Sequence, residues 1–222
     1  MGPLAVAIMA KAPRAGDVKT RLSPPLSAPE AAELYRCFLL DKIEQVRALR
    51  NVRPAIAYTP EGGRAFFEAA APDFLLIPQR GNDLGARLSG TFEALFVQGY
   101  AGGLAIDSDT PTLPTGFLQQ AVDLLAGPRA DLVLGPSEDG GYYLIGLHRL
   151  HRPLFEGIAW STDQVLPETI RRAEALGLTV ASLPPWLDID TPGDLNRLRD
   201  ALADNETALP CHTRHFFRER LR

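Results

Sequence analysis

The chain has 222 residues, 45% of them hydrophobic, and a formal net charge of −4. That is enough for one large domain with a buried core, and the even spread of charge argues against a duplex-binding surface. Cys37 and Cys211 have no CxxC partners, which excludes a disulfide scaffold and a cysteine zinc site.

The N-terminal apolar run lacks a preceding basic region and is too short to span a bilayer, so residues 4–9 read as the first buried strand of a cytoplasmic protein. The first helix opens at Ser27-Ala-Pro-Glu30, an S-x-x-E capping box with proline in its first turn, and runs to about residue 49. Further strands are expected at 53–58, 73–77, 103–106, 132–135, 142–147 and 178–183. Helical spacing marks 63–70, 85–97, 115–125 and 162–176, and Thr191-Pro-Gly-Asp194 opens a last helix. From Asn205 on, periodicity fades into a polar, Arg-rich stretch. The pattern predicts an α/β sandwich with a mostly parallel central sheet, forming one domain over 1–204 with a tail at 205–222. In such sheets ligands bind at the carboxyl ends of the strands, so the segments that follow strands are where chemistry is sought.

After the first strand comes Lys11-Ala-Pro-Arg14-Ala-Gly16-Asp-Val-Lys19-Thr-Arg21, with four cations in one Pro/Gly-containing loop. No glycine stands immediately before Lys19, so this is not a P-loop. It reads as a phosphate clamp in which Arg14 and Arg21 grip oxygens as forks while Lys11 and Lys19 act as point charges. A solvated cationic turn is the plainer alternative. Gln79–Arg87, which includes Asp83 and Gly85, either surrounds a nucleobase or ribose or caps a helix.

Asp107-Ser-Asp109 ends a buried strand, and by strand alternation the two carboxylates point the same way, as a site for Mg²⁺ or Mn²⁺ requires; an Asx-turn is the alternative. Asp188-Ile-Asp190 repeats the spacing, and the two segments could meet across the sheet. Ser137-Glu-Asp139-Gly-Gly141 offers Asp139 as a base for an acceptor, or is a tight Asp-Gly turn. His148 and His151 lack a third ligand, His212 and His215 lie in the tail, and Trp160-Ser-Thr162 reads as a helix start packed by an aromatic.

Taken together, 11–22, Asp83-Leu-Gly85, Asp109-Thr-Pro111, 134–146, Trp160-Ser-Thr162 and Asp188-Ile-Asp190-Thr-Pro192 resemble the DUF2064 family over about residues 4–200. This bacterial and archaeal group belongs to the nucleotide-diphospho-sugar transferase superfamily. The resemblance implies a GT-A, Rossmann-like sandwich, a nucleotide pocket over the first half of the sheet and a divalent metal at Asp109. Some members are associated with glycosyl transfer in arsenosugar biosynthesis. The basic loop is also similar to that of 2-phospholactate and molybdenum cofactor guanylyltransferases. That similarity implies Lys19 and Arg21 at phosphates, and Asp109 with Asp188 or Asp190 at the metal. Position 107 departs from the pattern, which carries a small residue there more often than Asp.

The expected partners are an NTP or NDP-sugar and a small-molecule acceptor, with no nucleic acid and no membrane. The charge chemistry favours nucleotidylyl transfer, because four cations suit a triphosphate. Glycosyl transfer from an NDP-sugar is the alternative, and a non-catalytic nucleotide-binding module is a remote third.

Overall fold

The structure, a computed structural model, describes residues 2–204 and 210–220. The elements follow the alternating order: β1 (Leu4–Lys11), α1 (Ala28–Arg47), β2 (Val52–Thr59), α2 (Arg64–Ala70), β3 (Leu75–Pro78), α3 (Leu84–Val97) and β4 (Gly102–Ile106). Then come α4 (Thr115–Ala126), β5 (Leu132–Pro136), β6 (Tyr142–Leu147), α5 (Val165–Ala175), β7 (Val180–Ser182), α6 (Pro192–Asp204) and α7 (Cys211–Arg220).

The strands form one sheet in the order β3-β2-β1-β4-β6-β5-β7. Only β6 runs against its neighbours, while the other pairings are parallel. The carboxyl ends of those other strands therefore share one rim. The chain steps from β1 outward to β2 and β3, then returns to place β4 on the other side of β1. This reversal opens a crevice between the ends of β1 and β4.

Side-chain alternation on β1 explains the layering. Leu4, Val6 and Ile8 face the helix layer that contains α1, α4 and α6. Ala5 and Ala7, with Ala55, face Leu95 of α3 on the other side. Gly103 of β4 also lies under α3, where a Cβ would fall 2.9 Å from Leu95. Small residues on that face let α3 approach closely. Pro54 interrupts β2 only where it has no partner on β3, whose pairing begins at Ala55.

Two expectations change. The helix expected from 162 begins at Val165, because the Thr162 hydroxyl is engaged locally: it donates to the Ala159 carbonyl at 2.7 Å and accepts from the Gln164 N–H. Pro167 thereby falls in the first turn, where its missing N–H costs nothing. The polar tail carries α7, docked on α1. Asp41, 1% exposed, accepts from the His212 and Thr213 N–H groups at 2.9 and 2.8 Å and from the Thr213 hydroxyl, while Phe216 and Phe217 are buried. Residues 205–209 and 221–222 of that stretch lie outside the described residues.

This docking also brings Cys211 and His212 beside Asp41 and Glu44, with one potential ligand atom from each within 4.8 Å of the others. Spacing in the sequence hid that grouping. The groups are already paired, since Glu44 accepts from the Cys211 thiol and lies 3.0 Å from the His212 ring. Among the described residues no helix is long and apolar enough to cross a membrane.

Candidate active site

The loop after β1 is shaped by two apolar anchors, Val18 and Leu22, which are buried on either side of Lys19. Gly16 turns the chain at φ 84°. Lys19 itself sits in the left-handed region at φ 47°, ψ 37°, a conformation that costs a non-glycine residue about 1 kcal/mol. The anchors hold it there and aim its side chain inward.

Its ammonium donates to the Ile189 carbonyl and to Asp190 Oδ1, both at 2.7 Å, and stands 2.7 Å from Asp109 Oδ1. The Lys19 side chain is only 5% exposed. Burial by itself would lower its pKa, but Asp109 and Asp190 outweigh that and hold it above the ordinary lysine value. Asp109 Oδ1 is buried and, despite its closeness to the ammonium, lacks a well-directed hydrogen bond.

Asp190 reaches this point because the segment before α6 is pinned at several places. The Trp186 N–H donates to the Pro136 carbonyl and its indole to Thr112. The Ile189 N–H donates to the Asp109 carbonyl at 3.0 Å. At the start of α6, Asp194 accepts from Thr191 N–H and hydroxyl, and from the Asp190 N–H at 3.2 Å. Asp190 thus stands both at a helix start and at the Lys19 ammonium that faces Asp109.

Lys11, Lys19, Arg21, Asp109 and Asp190 line one cleft of about 250 Å³, together with Asp17 and Tyr35. Lys11 is fixed at both ends: its N–H donates to the Tyr35 hydroxyl and its ammonium to the Asp17 carbonyl. Burial pushes the Tyr35 phenol up, with Asp109 adding to it. Arg21 is exposed at the cleft.

The remaining sequence candidates are placed differently. Arg14 donates outward to the Gly62 carbonyl at 3.2 Å. Asp83 caps α3, accepting from the Ala86 N–H at 2.7 Å. Gly85 is required by packing, because a Cβ there would run into the Phe155 carbonyl and the Trp160 ring. Asp139 closes an Asx-turn, accepting from the Ser137 hydroxyl and the Gly141 N–H at 2.6 and 2.9 Å. Asp188 is partly buried near it and is pushed up to about 6 by that burial, with Asp139 and Asp190 adding.

Asp107 and Asp109 do not share partners. The alternation argument fails because β4 ends at Ile106, before either carboxylate. Asp107 accepts from the Thr110 hydroxyl at 2.7 Å and lies 4.0 Å from the Lys42 ammonium, whereas Asp109 faces Lys19. Burial, opposed by Lys42 and reinforced by Asp109, pushes Asp107 up to about 7.

Tyr35 and Lys42 were not legible as site residues. The available signal was positional: Tyr35, Leu39, Lys42 and Val46 form one i, i+4, i+7, i+11 stripe of α1, and a lysine interrupts its apolar run.

This sandwich, with its crevice at the strand reversal, is the GT-A, Rossmann-like architecture shared by nucleotide-diphospho-sugar transferases and nucleotidyltransferases. The chain belongs to the family described as uncharacterized protein conserved in bacteria (DUF2064), whose model matches residues 42–162. A crystal structure from Desulfovibrio desulfuricans G20, provisionally assigned as a nucleotide-diphospho-sugar transferase, is 31% identical. It superposes with a TM-score of 0.90 over 99% of this chain and 95% of that one. A cytidylyltransferase from Leptospira borgpetersenii is 13% identical, with a TM-score of 0.63 over 100% of this chain and 96% of that one. Glucosyl-3-phosphoglycerate synthase from Mycobacterium tuberculosis, solved with Mn²⁺ and UDP, is also 13% identical, with a TM-score of 0.53 over 91% of this chain and 77% of that one. At 13% identity these two likenesses carry the fold alone. No curated protein matches the chain.

Proposed function

We propose that the chain is a divalent-metal-dependent transferase that draws on an activated nucleotide, moving the nucleotidylyl group of an NTP onto a small phosphorylated or sugar-like acceptor with release of pyrophosphate. One observation carries this reading: Lys11, Lys19 and Arg21 line the same small cleft as Asp109 and Asp190. Carboxylates repel a bound polyphosphate unless a cation stands between them, and three basic side chains match a triphosphate better than a diphosphate.

The residues fit Mg²⁺ or Mn²⁺. Asp109 Oδ1 is a buried oxygen held 2.7 Å from the Lys19 ammonium, a cation that already sits among hard oxygens of Asp109, Asp190 and Ile189. Asp109 and Asp190 would hold the ion, with Asp188 alongside, and when bound it would supply neutralising charge to phosphoryl oxygens. Lys11 and Arg21 would grip the polyphosphate and orient it, leaving its α-phosphorus open to the acceptor. Asp139 would hold the acceptor or take its proton.

Glycosyl transfer from an NDP-sugar is the second reading, favoured by the 31% identical Desulfovibrio structure. Thermal shift with NTPs, NDPs and NDP-sugars, each with Mg²⁺, Mn²⁺ or EDTA, separates the two, because a ligand selective for the native state raises the melting temperature. The expected result is metal-dependent stabilisation strongest with one NTP, lost in Asp109→Asn, followed by pyrophosphate release with an acceptor. Stronger stabilisation by an NDP-sugar overturns nucleotidylyl transfer in favour of glycosyl transfer. Nucleotide binding indifferent to metal and to Asp109→Asn leaves a non-catalytic module.

A further inference from the structure

Lys42 is 1% exposed, inside the apolar face of α1, and its ammonium is spent on one loop. It donates to the Thr110 carbonyl at 3.0 Å and to the Thr110 hydroxyl at 2.9 Å. That hydroxyl, accepting from lysine, passes its own proton toward Asp107 Oδ1 at 2.7 Å. The relay ties together both ends of the four-residue segment 107–110, and Asp109 lies between them. The same helix holds the segment at one more place and the loop just beyond it at another. The Tyr35 hydroxyl lies 2.9 Å from Ser108 Oγ, and the Gln45 amide donates to the Leu113 carbonyl at 2.5 Å.

A buried ion pair is a weak device for stability, since apolar side chains of similar volume usually serve as well or better. The placement of this one needs another reason. Neither Lys42 nor Thr110 is among the residues that line the cleft. Their effect is to fix the backbone that presents Asp109 to Lys19 and Asp190.

We propose that Lys42, acting through Thr110 and Asp107, is a positioning residue that sets the Asp109 carboxylate for cation binding in the cleft. This rests on the reading of Asp109 as a ligand of the nucleotide-bound metal. The hydrogen-bonded network would then maintain the geometry of one carboxylate in an otherwise apolar layer, as outer-shell partners do for metal ligands.

The test compares wild type with Lys42→Met, Thr110→Val, Thr110→Ser and Asp109→Asn. Mn²⁺ affinity is read by electron paramagnetic resonance of the free ion, and affinity for the best-stabilising NTP is read in EDTA. Thr110→Val is isosteric and lacks only the relay hydroxyl, so it decides the matter should Lys42→Met fail to fold. Expected is a rise in the Mn²⁺ dissociation constant of about ten- to a hundredfold in Thr110→Val and Lys42→Met. Thr110→Ser, which keeps the hydroxyl, retains wild-type Mn²⁺ affinity, and metal-free NTP affinity stays unchanged in Thr110→Val, Thr110→Ser and Lys42→Met. Wild-type Mn²⁺ affinity in a folded Thr110→Val overturns the proposal, as does an equal loss of metal-free NTP binding, which marks a merely structural role. Mn²⁺ binding indifferent to Asp109→Asn overturns the reading of the site itself, and the proposal with it.

Discussion

At Lys19 the backbone accepts left-handed strain so that one ammonium can meet three oxygens at 2.7 Å. Removing that ammonium leaves Asp109 and Asp190 facing each other. A fully buried pair broken on one side costs about 3–5 kcal/mol. Here the carboxylates remain 35% and 39% exposed, and water offsets part of the loss. Lys19→Met is therefore expected to lower stability by about 1–2 kcal/mol in urea unfolding. If the ammonium stands in for a divalent ion, Mn²⁺ should stabilise Lys19→Met more than wild type, because the ion no longer competes with an internal cation. Equal effects of Mn²⁺ on both proteins would mean that the lysine does not occupy the ion's position. The sequence pointed to Lys19, Asp109 and Asp190 because each follows or flanks an element at the rim. It paired Asp107 with Asp109 wrongly, since strand alternation says nothing about residues beyond the last paired position, Ile106.

Elements whose burial pattern is written in their own residues were legible, and those completed by distant partners were not. β1, α1, α3 and β4 carry continuous or periodic apolar residues and fall close to their expected bounds. The ten residues of α7 are mostly polar, and their anchor is Asp41, 172 residues before Thr213. No local pattern could reveal that. α5 is an intermediate case, a helix whose first turn is charged and testable. Glu168 accepts from Arg171 and Arg172, and the Arg171 bond first, then Arg172, holds its carboxyl at about 2 against an ordinary value of 4.5. Its folded pKa is depressed, so the stability it contributes is present above about pH 4.5 and disappears as pH falls toward 2. Glu168→Gln should melt below wild type at pH 7, and the gap should close across that acid window. A gap that stays constant with pH would show that packing, not charge, separates the two proteins.

At the scale of the molecule, the cleft gathers segments far apart in the chain: 11–22 after β1, 107–113 after β4 and 186–191 before α6. The topology makes this possible, because β1 and β4 are neighbours although two strands intervene in sequence. Hydrogen bonds from Ile189 to Asp109 and from Lys19 to Ile189 already lace the three segments together. A metal-bound nucleotide would bridge the cations of the first segment to the carboxylates of the other two, so its binding energy should appear in all three at once. At a ligand concentration of about 100 times Kd the native state gains about 2.7 kcal/mol, which slows by about a hundredfold those amides that exchange only through opening. Hydrogen exchange with the stabilising NTP and Mg²⁺ is thus expected to protect 11–22, 107–113 and 186–191 together. With the same NTP in EDTA, protection should contract toward 11–22, where the phosphates meet lysine and arginine alone. Protection confined to 11–22 even with Mg²⁺ would mean that the two aspartate segments do not take part in binding, and that the meeting of Lys19, Asp109 and Asp190 is a structural clasp closing the crevice.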